Sequence, residues 1–307
     1  MTPLHNKTPL ITKQTPSLNI HLKLDNHQPA GSFKIRGIGN MCQKAIQTKN
    51  TKRFVASSGG NAGMAVAYAG SKLNIPVNVF VPNTTPEYMR NKLTEEGADV
   101  RVIGDVWDET NRETLKFIDE SSEADNILYV PPFDHEDIWE GHASVVDELA
   151  REMSSPPDCI VVSVGGGGYF IGVCQGVQKV GWAQTTKVIA METIGADSLY
   201  QSVQAKELIT LGGITSIAKS LGALRVSQEA LSCALSNDLN VISEVVTDEE
   251  ALMACDLFQK EFDLLVEPAC GASLATVYVD EVGKRVFPEG VRDVVVLVCG
   301  GNMIQKK

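Results

Sequence analysis

The first candidate for chemistry is a lysine within a segment of small and apolar residues. Lys34 lies in the segment GSFKIRG, residues 31–37. A lysine that is held at a helix start and partly removed from water has a lowered pKa, and its neutral amine can form a Schiff base with a carbonyl compound. The alternative is a solvated lysine like the others in the chain, and this segment by itself favours that alternative.

A run of small residues directly after a predicted strand is the second candidate. Residues 57–63 read SSGGNAG and open a predicted helix. Small residues let the backbone approach a ligand closely, and amides at a helix start attract carboxylate or phosphate. Asn61 adds an amide that can contact a ring hydroxyl. A plain strand-to-helix turn capped by this asparagine is an equally good interpretation of the segment alone.

Four successive glycines, Gly165–Gly168, follow the apolar strand predicted over Cys159–Val164 and precede a predicted helix. Four amides without side chains form a phosphate cradle at such a turn. A dinucleotide fingerprint is the competing interpretation, because the next strand ends in Glu192, at the place of an acid that binds a ribose. The run therefore predicts a phosphate site without saying which phosphate is bound.

Two weaker candidates lie at loops. Cys299 ends the last predicted strand, where α/β sheets bind ligands, although a buried structural cysteine is the default interpretation. Glu192 and the loop carbonyls of residues 195–196 and 220–223 have the chemistry of a hard-cation site, but their spacing alone favours ordinary turns. The sequence has no CxxC, HExxH or GxSxG motif and no Walker lysine, so it gives no motif for a zinc site, a common hydrolase or a P-loop.

The elements that must position these residues follow an α/β pattern. Short β-branched runs alternate with stretches of helical periodicity, which indicates parallel strands covered by helices on both faces. A capping box is predicted at Thr247–Glu250, and one long helix over Ala269–Arg285. The strand candidates are Leu18–Leu24, Arg53–Ser57, Val77–Val81, Asp99–Ile103, Ile127–Val130, Cys159–Val164, Lys187–Glu192, Val241–Val246 and Asp293–Val298.

Composition narrows the class of protein. The 307 residues have room for one large or two modest domains, and 43% hydrophobic with 21% charged residues is ordinary for a globular protein. The net charge of −11 argues against nucleic-acid or anionic-membrane partners. No apolar run approaches the ~20 residues of a membrane span. Seven scattered cysteines are typical of a reducing compartment, and we expect a cytoplasmic enzyme.

Taken together and in this order, the segments resemble the fold-type II pyridoxal-phosphate enzymes, and within them the L-serine/L-threonine dehydratases. The similarity runs from Thr8 to Asn302. Its more specific stretches are PAGSFKIRG at 29–37, PPFD at 131–134, IWEGHAS at 138–144, AMET at 190–193 and VEPACGA at 266–272. The resemblance implies a homodimer of two-lobed chains, each lobe a mostly parallel sheet flanked by helices. The large lobe would contain residues 1–36 and 132–307, and the small lobe residues 37–131.

The resemblance also implies roles for individual residues. Lys34 would hold the cofactor, pyridoxal 5′-phosphate, as a Schiff base, with Phe33 packed on its ring. Gly165, Gly166, Gly167 and Gly168 would bind its phosphate, Asn61 its ring hydroxyl and Cys299 its ring nitrogen. The implied substrate contacts are Ser58, Gly59, Asn61 and Phe133. A monovalent cation, K⁺, would bind Glu192 and the backbone carbonyls of Ala196, Leu221 and Ala223.

The implied reaction is β-elimination from a small amino acid. Lys34 removes the α-proton, so that L-serine gives pyruvate and ammonia and L-threonine gives 2-oxobutyrate and ammonia. The alternatives are a serine racemase, a β-replacement enzyme such as a cysteine synthase, and a nicotinamide dehydrogenase that uses the glycine run. A weakly active cofactor-binding homologue is a further alternative, because Gly59 stands where many serine dehydratases carry alanine.

Overall fold

Two separate β-sheets form the framework of the chain, whose computed structural model describes residues 1–304. The larger sheet has six strands in the spatial order first, second, tenth, seventh, eighth and ninth of the chain. All neighbours are parallel except the first two strands, which form an antiparallel pair. These strands are β1 (Leu10–Gln14), β2 (Asn19–Lys23), β7 (Cys159–Ser163), β8 (Lys187–Thr193), β9 (Asn240–Val246) and β10 (Asp293–Leu297).

The smaller sheet is entirely parallel. Its four strands are β3 (Arg53–Ala56), β4 (Val77–Val81), β5 (Asp99–Val102) and β6 (Ile127–Tyr129), in the order β5-β4-β3-β6. Because the strands are parallel, the loops that follow them share one edge of the sheet. The loop after β3 is the small-residue run that begins at Ser57, so this run lies at the edge where the loops that follow parallel strands meet.

Eleven helices are described between and beside the strands. The inner strands β4 and β7 are buried at every position, as the continuous apolar runs predict for strands with helices on both faces. The helices are α1 (Lys34–Lys49), α2 (Asn61–Leu73), α3 (Glu87–Glu95), α4 (Trp107–Asp119), α5 (Glu136–Glu152), α6 (Gly168–Lys179), α7 (Ser198–Ala205), α8 (Gln228–Leu235), α9 (Asp248–Phe262), α10 (Pro268–Tyr278) and α11 (Asp280–Val286).

Each sheet has its own apolar core. The core of the smaller sheet includes Ile35 and Ile38 of α1 and Ile138 of α5, while the larger core surrounds β7, β8 and β10. The predicted boundary between the large and the small lobe, at residues 36 and 37, falls inside α1. The division into these lobes stays a prediction. Among the described residues, no helix combines the length and apolar character needed to cross a bilayer.

Local signals for helix ends were partly correct. The capping box is confirmed, because the Thr247 hydroxyl accepts from the Glu250 amide and the Glu250 carboxylate accepts from the Thr247 amide. The single helix predicted over Ala269–Arg285 is wrong, since α10 ends at Tyr278 and α11 starts at Asp280. Val279 between them has extended backbone angles, φ −120° and ψ 102°, which breaks the helical path.

Candidate active site

Lys34 is the first residue of α1. The residue before it, Phe33, packs against the core of the larger sheet, and the residue after it, Ile35, belongs to the core of the smaller sheet. The chain reaches it through Gly31, whose φ of +74° favours glycine, and through a bridge between Ser32 and Gly300 beyond β10. The Lys34 Nζ donates a hydrogen bond to the Pro132 carbonyl at 2.6 Å. Loss of water around this amine lowers its pKa from 10.5 to about 8, although the nearby Cys299 acts in the opposite direction. The site therefore holds an amine that is readily deprotonated.

An aromatic stack lies beside this amine. The rings of Phe33 and Tyr169 are nearly parallel, with centroids 4.1 Å apart and an interplanar angle of 11°. Lys34 Nζ lies 5.2 Å from the Phe33 centroid. The buried Tyr169 hydroxyl donates to Asp25 Oδ2 at 2.6 Å, which fixes its ring. The Phe33 ring therefore lies next to the lysine and is held in place by its stacking on Tyr169. Tyr169 was not among the site residues predicted from the sequence.

The glycine run forms the turn from β7 into α6. Gly167 has a φ of +98°, and a Cβ built there would lie 2.5 Å from Ala230 Cβ. A Cβ at Gly166 would lie 2.3 Å from the ring of Phe133, and one at Gly168 would lie 2.6 Å from the Phe133 carbonyl. The structure therefore brings Phe133 against the run, and its role as a pocket wall stays a prediction. The start of α6 provides amides that suit an anion.

The small-residue run ends at Asn61, the first residue of α2. Asn61 Nδ2 donates to Glu267 Oε1 at 2.9 Å. A carboxylate only accepts hydrogen bonds, so the amide oxygen of Asn61 faces elsewhere. That oxygen is buried and has no partner among the described residues. Asn61 therefore offers a free acceptor, and Glu267, which the sequence reasoning missed as a site residue, determines its orientation.

Ser58 and Gly59 lie in the loop between β3 and α2. The Ser58 hydroxyl accepts a hydrogen bond from the Gly60 amide at 3.4 Å. A Cβ added at Gly59 would lie 2.6 Å from Thr85 Cγ2 and 2.7 Å from Thr85 Oγ1. Glycine at this position therefore fits the close approach of Thr85, which gives a local reason for the departure from alanine.

Cys299 lies just beyond β10 and is buried. Its backbone amide donates to Cys270 Sγ at 3.2 Å. The Cys270 thiol and burial together raise the pKa of Cys299 well above its ordinary value, so the thiol stays neutral near pH 7. A neutral thiol is compatible with an unprotonated ring nitrogen, and the contact of Cys299 with that nitrogen stays a prediction.

The predicted cation site remains a prediction. Glu192 is buried at the end of β8, and its two oxygens accept from the amides of Leu199 at 3.0 Å and Tyr200 at 2.7 Å. Burial raises its pKa to about 8, while these two hydrogen bonds act against the rise. The carboxylate is held at the start of α7, which disfavours its use as a ribose-binding acid. The two loop positions Leu221 and Ala223 are joined by a turn, with the Ala223 amide donating to the Leu221 carbonyl at 2.7 Å.

A buried ion cluster braces the start of α1. Arg36 is completely buried and donates to both Asp25 oxygens at 2.7 and 2.8 Å. It also donates to both Glu148 oxygens, at 2.6 and 3.1 Å. Lys23 Nζ lies 2.7 Å from Glu148 Oε2. This cluster connects β2, α1 and α5. It anchors the first turn of α1, which begins at Lys34, and through Asp25 it also holds the Tyr169 hydroxyl.

Comparison with known proteins identifies the family. The family model described as pyridoxal-phosphate dependent enzyme matches residues 1–300. The chain belongs to this pyridoxal-phosphate dependent enzyme family. The L-serine dehydratase/L-threonine deaminase of Bos taurus is 46% identical over 98% of this chain and 93% of the bovine protein. The L-serine dehydratase of Dictyostelium discoideum is 37% identical over 98% of this chain and 89% of that protein.

Solved structures of the family agree with the architecture. A fungal L-serine ammonia-lyase from Rhizomucor miehei superimposes with a TM-score of 0.89 at 35% identity, covering 98% of this chain and 96% of the fungal one. Serine racemase from Dictyostelium discoideum superimposes with a TM-score of 0.85 at 26% identity, covering 98% of this chain and 94% of the racemase chain. The predicted fold class, an α/β fold-type II pyridoxal-phosphate enzyme with mostly parallel sheets, is confirmed.

The residues of this pyridoxal-phosphate family member fit the cofactor. The four glycines contribute no side chains of their own at the start of α6, where backbone amides suit a phosphate. The unpartnered oxygen of Asn61 suits a ring hydroxyl, and the neutral Cys299 thiol suits a ring nitrogen. Lys34 supplies an amine that reacts with an aldehyde. The individual roles stay predictions, but the chemistry of every donor agrees with the cofactor.

The lowered pKa of Lys34 predicts how the chain captures its cofactor. Only the neutral amine attacks an aldehyde, so the rate of pyridoxal phosphate capture by the apoprotein should rise with pH and level off above about 8. Stopped-flow absorbance of the Schiff base, at the short-wavelength end of the visible spectrum, measures this rate. The reaction of free lysine, whose amine has its ordinary pKa, is the comparison. A rate that continues to climb through pH 10 would contradict the burial of this amine.

The glycine run predicts a loss of cofactor affinity. Gly167→Ala places a side chain at a φ of +98° and within 2.5 Å of Ala230, so the start of α6 must move. We expect pyridoxal phosphate to bind at least about tenfold more weakly in a fluorescence titration, in line with the strain of a left-handed residue. Gly181→Ala is the matched control, because its φ is +78° but nothing lies within 4 Å of the added Cβ. Equal losses in the two variants would show that strain alone, not the cradle, is responsible.

Proposed function

We propose that the chain is an ammonia-lyase that uses pyridoxal phosphate to convert L-serine to pyruvate and ammonia, and L-threonine to 2-oxobutyrate and ammonia. The observation that carries the proposal is the setting of Lys34. Its amine has a lowered pKa and lies next to a thiol that stays neutral. Such an amine binds an aldehyde and, once displaced, acts as a base near neutral pH. The dehydratase names of the two relatives described above support the substrate class.

The residues of this chain divide the work of the reaction. Lys34 takes the α-proton of the substrate, and the Pro132 carbonyl 2.6 Å away orients its amine. Amides of the Ser58 loop, at the start of α2, bind the substrate carboxylate. Phe133 closes the pocket against Gly166 and excludes water. When bound, pyridoxal phosphate withdraws electrons from the substrate's α-carbon and so stabilises the charge left by the proton.

Cys299 directs the outcome towards elimination. A neutral thiol would leave the ring nitrogen of the cofactor largely unprotonated. Negative charge at the substrate's α-carbon would then be less stabilised than with an aspartate at this position. The β carbon–oxygen bond therefore breaks promptly. The hydroxyl takes up one proton and leaves as water, which balances the α-proton that Lys34 removes. The released 2-aminoacrylate takes up one water and loses ammonia, so serine yields pyruvate and ammonia in balance.

Further properties follow from the same resemblance. We propose that the lobes divide as residues 1–36 with 132–307 and residues 37–131, that two chains form a homodimer, and that the enzyme works in the cytoplasm. The separate apolar cores of the two sheets support the division into lobes. Potassium is the proposed cation, because a buried carboxylate and carbonyl oxygens are hard ligands. Sedimentation at the mass of one chain would contradict the dimer.

Product analysis tests the proposed function against its alternatives. The chain is incubated with pyridoxal phosphate, potassium and L-serine, and then with L-threonine. We expect pyruvate and 2-oxobutyrate, each with an equal amount of ammonia. Appearance of D-serine without keto acid would identify a racemase, and a product formed only with added sulfide would identify a β-replacement enzyme. Cofactor binding without any product would identify the weakly active homologue.

A further inference from the structure

A tryptophan outside the pocket holds the backbone of the predicted substrate loop. Trp107 is the first residue of α4, and 44% of its surface is exposed. Its indole Nε1 donates to the Ser57 carbonyl at 2.7 Å. Large apolar residues on a helix normally stabilise a core, but this ring is too exposed for that role. Its most specific contact is therefore the hydrogen bond to the loop.

The same helix also holds the Ser57 side chain. One turn after Trp107, Asn111 Oδ1 accepts from the Ser57 hydroxyl at 2.8 Å and from the Tyr129 hydroxyl at 2.6 Å. Ser57 itself is only 1% exposed. The carbonyl and the hydroxyl of one residue are thus both fixed from α4, so Ser57 cannot rotate without breaking two hydrogen bonds.

Fixing the Ser57 carbonyl also fixes the next amide. A trans peptide is planar, and its carbonyl and N–H point in opposite directions. None of the described peptide bonds is cis, so the Ser57–Ser58 bond is trans. With the carbonyl directed at Trp107, the Ser58 N–H is directed to the other side of the loop. That amide belongs to the group that our proposed function assigns to the substrate carboxylate.

We propose that Trp107 is a positioning residue for the substrate carboxylate, acting through the Ser57–Ser58 peptide with Asn111 as its second support. This inference rests on the proposed function. An anion at the Ser58 N–H polarises the same peptide and strengthens the hydrogen bond that its carbonyl accepts from the indole. Trp107 therefore holds the loop in place and reports its occupation.

Trp107→Phe tests the proposal, because it keeps an aromatic ring and removes the donor. We expect the KM for L-serine to rise about five- to tenfold, as for one lost hydrogen bond, while kcat stays within about twofold. Leu115→Ala on the same helix is the control, since this side chain is also exposed and has no hydrogen bond to the loop. A thermal melt near that of wild type shows that the Phe variant is folded.

Binding without turnover gives a second readout. L-Alanine has the same carboxylate and amine but no β-hydroxyl, so it binds the holoenzyme without elimination. We expect calorimetry to show weaker L-alanine binding to Trp107→Phe by a similar factor. We also expect the saturable change in tryptophan emission to be smaller in the variant, which keeps Trp139 next to the Phe133 backbone. Asn111→Asp keeps the acceptor and should retain more affinity than Asn111→Leu.

Failure of this inference differs from failure of the proposed function. Wild-type holoenzyme that releases no keto acid from L-serine overturns the proposed function, whatever the variants do. Active wild type together with an unchanged KM and unchanged L-alanine affinity in Trp107→Phe overturns the positioning role. A fall in kcat at constant KM also overturns it, because that pattern does not arise from binding of the carboxylate.

Discussion

Replacing Lys34 with alanine is expected to reduce keto-acid release from L-serine by at least about 10³-fold, because one side chain supplies both the cofactor link and the base. Its Nζ is 2.6 Å from the Pro132 carbonyl, and no other lysine is assigned to the site. The visible absorbance of the bound cofactor should disappear at the same time. A steady-state assay with lactate dehydrogenase, which consumes pyruvate, measures the rate.

Two controls separate chemistry from folding in this experiment. Lys44→Ala changes another lysine of α1, whose ion pair with Asp137 lies on the surface, and should leave the rate within about twofold. Lys34→Arg keeps a cation at the site but cannot form the Schiff base, so it should be as inactive as the alanine variant. Keto-acid release from Lys34→Ala at a tenth of the wild-type rate would contradict the assigned role.

Arg36→Met is expected to destabilise the protein by about 3–5 kcal/mol, the largest effect on folding that the structure predicts. The guanidinium is buried and pairs with Asp25 and Glu148, so its removal leaves the buried Asp25 carboxylate without its cation, while Glu148 keeps only its ion pair with Lys23. Lys44→Met is the matched control on the same helix. Its exposed ion pairs should contribute only about 0.2–1 kcal/mol. Urea unfolding at pH 7 gives both values.

The destabilisation caused by Arg36→Met should become smaller as the pH falls. Burial by itself would raise the pKa of Asp25, but the charge and hydrogen bonds of Arg36, with those of Tyr169 and Thr8, lower it from 3.8 to about 2. The stability from ionised Asp25 is therefore complete above pH 3.8 and is lost as the pH falls towards 2. The difference between wild type and Arg36→Met should shrink on acidification over this window. A difference that grows towards pH 3 would contradict the charge pairing.

The sequence predicted the strand-loop-helix units well, because their signals are local. Continuous apolar runs gave the buried strands, and the glycine run marks the turn from β7 into α6. Helix α1 was missed, since Gly37 and Gly39 lower its intrinsic helix propensity. Packing explains the first glycine, because a Cβ at Gly37 would lie 2.5 Å from the Ile138 carbonyl of α5. Close contact between two helices has no local signature.

The site was predictable where one segment supplies the chemistry and not where distant segments meet. Lys34 and Asn61 became candidates through the residue types of their own segments, and the order of the segments along the chain then gave them their predicted roles. Glu267 could not be found in this way, because its contact with Asn61 joins residues 206 positions apart. The same holds for the Tyr169 hydroxyl and Asp25, which are 144 positions apart. Only the folded chain shows that these residues orient the ones that carry chemistry.

The most direct test of the central claim is to locate the cofactor on the chain. The protein is loaded with pyridoxal phosphate, reduced with borohydride to make the link permanent, digested, and analysed by tandem mass spectrometry. We expect one stoichiometric phosphopyridoxyl group on Lys34 and none on the corresponding peptide from Lys34→Ala. A stoichiometric adduct on a different lysine, or the absence of any adduct from active protein, would contradict this expectation.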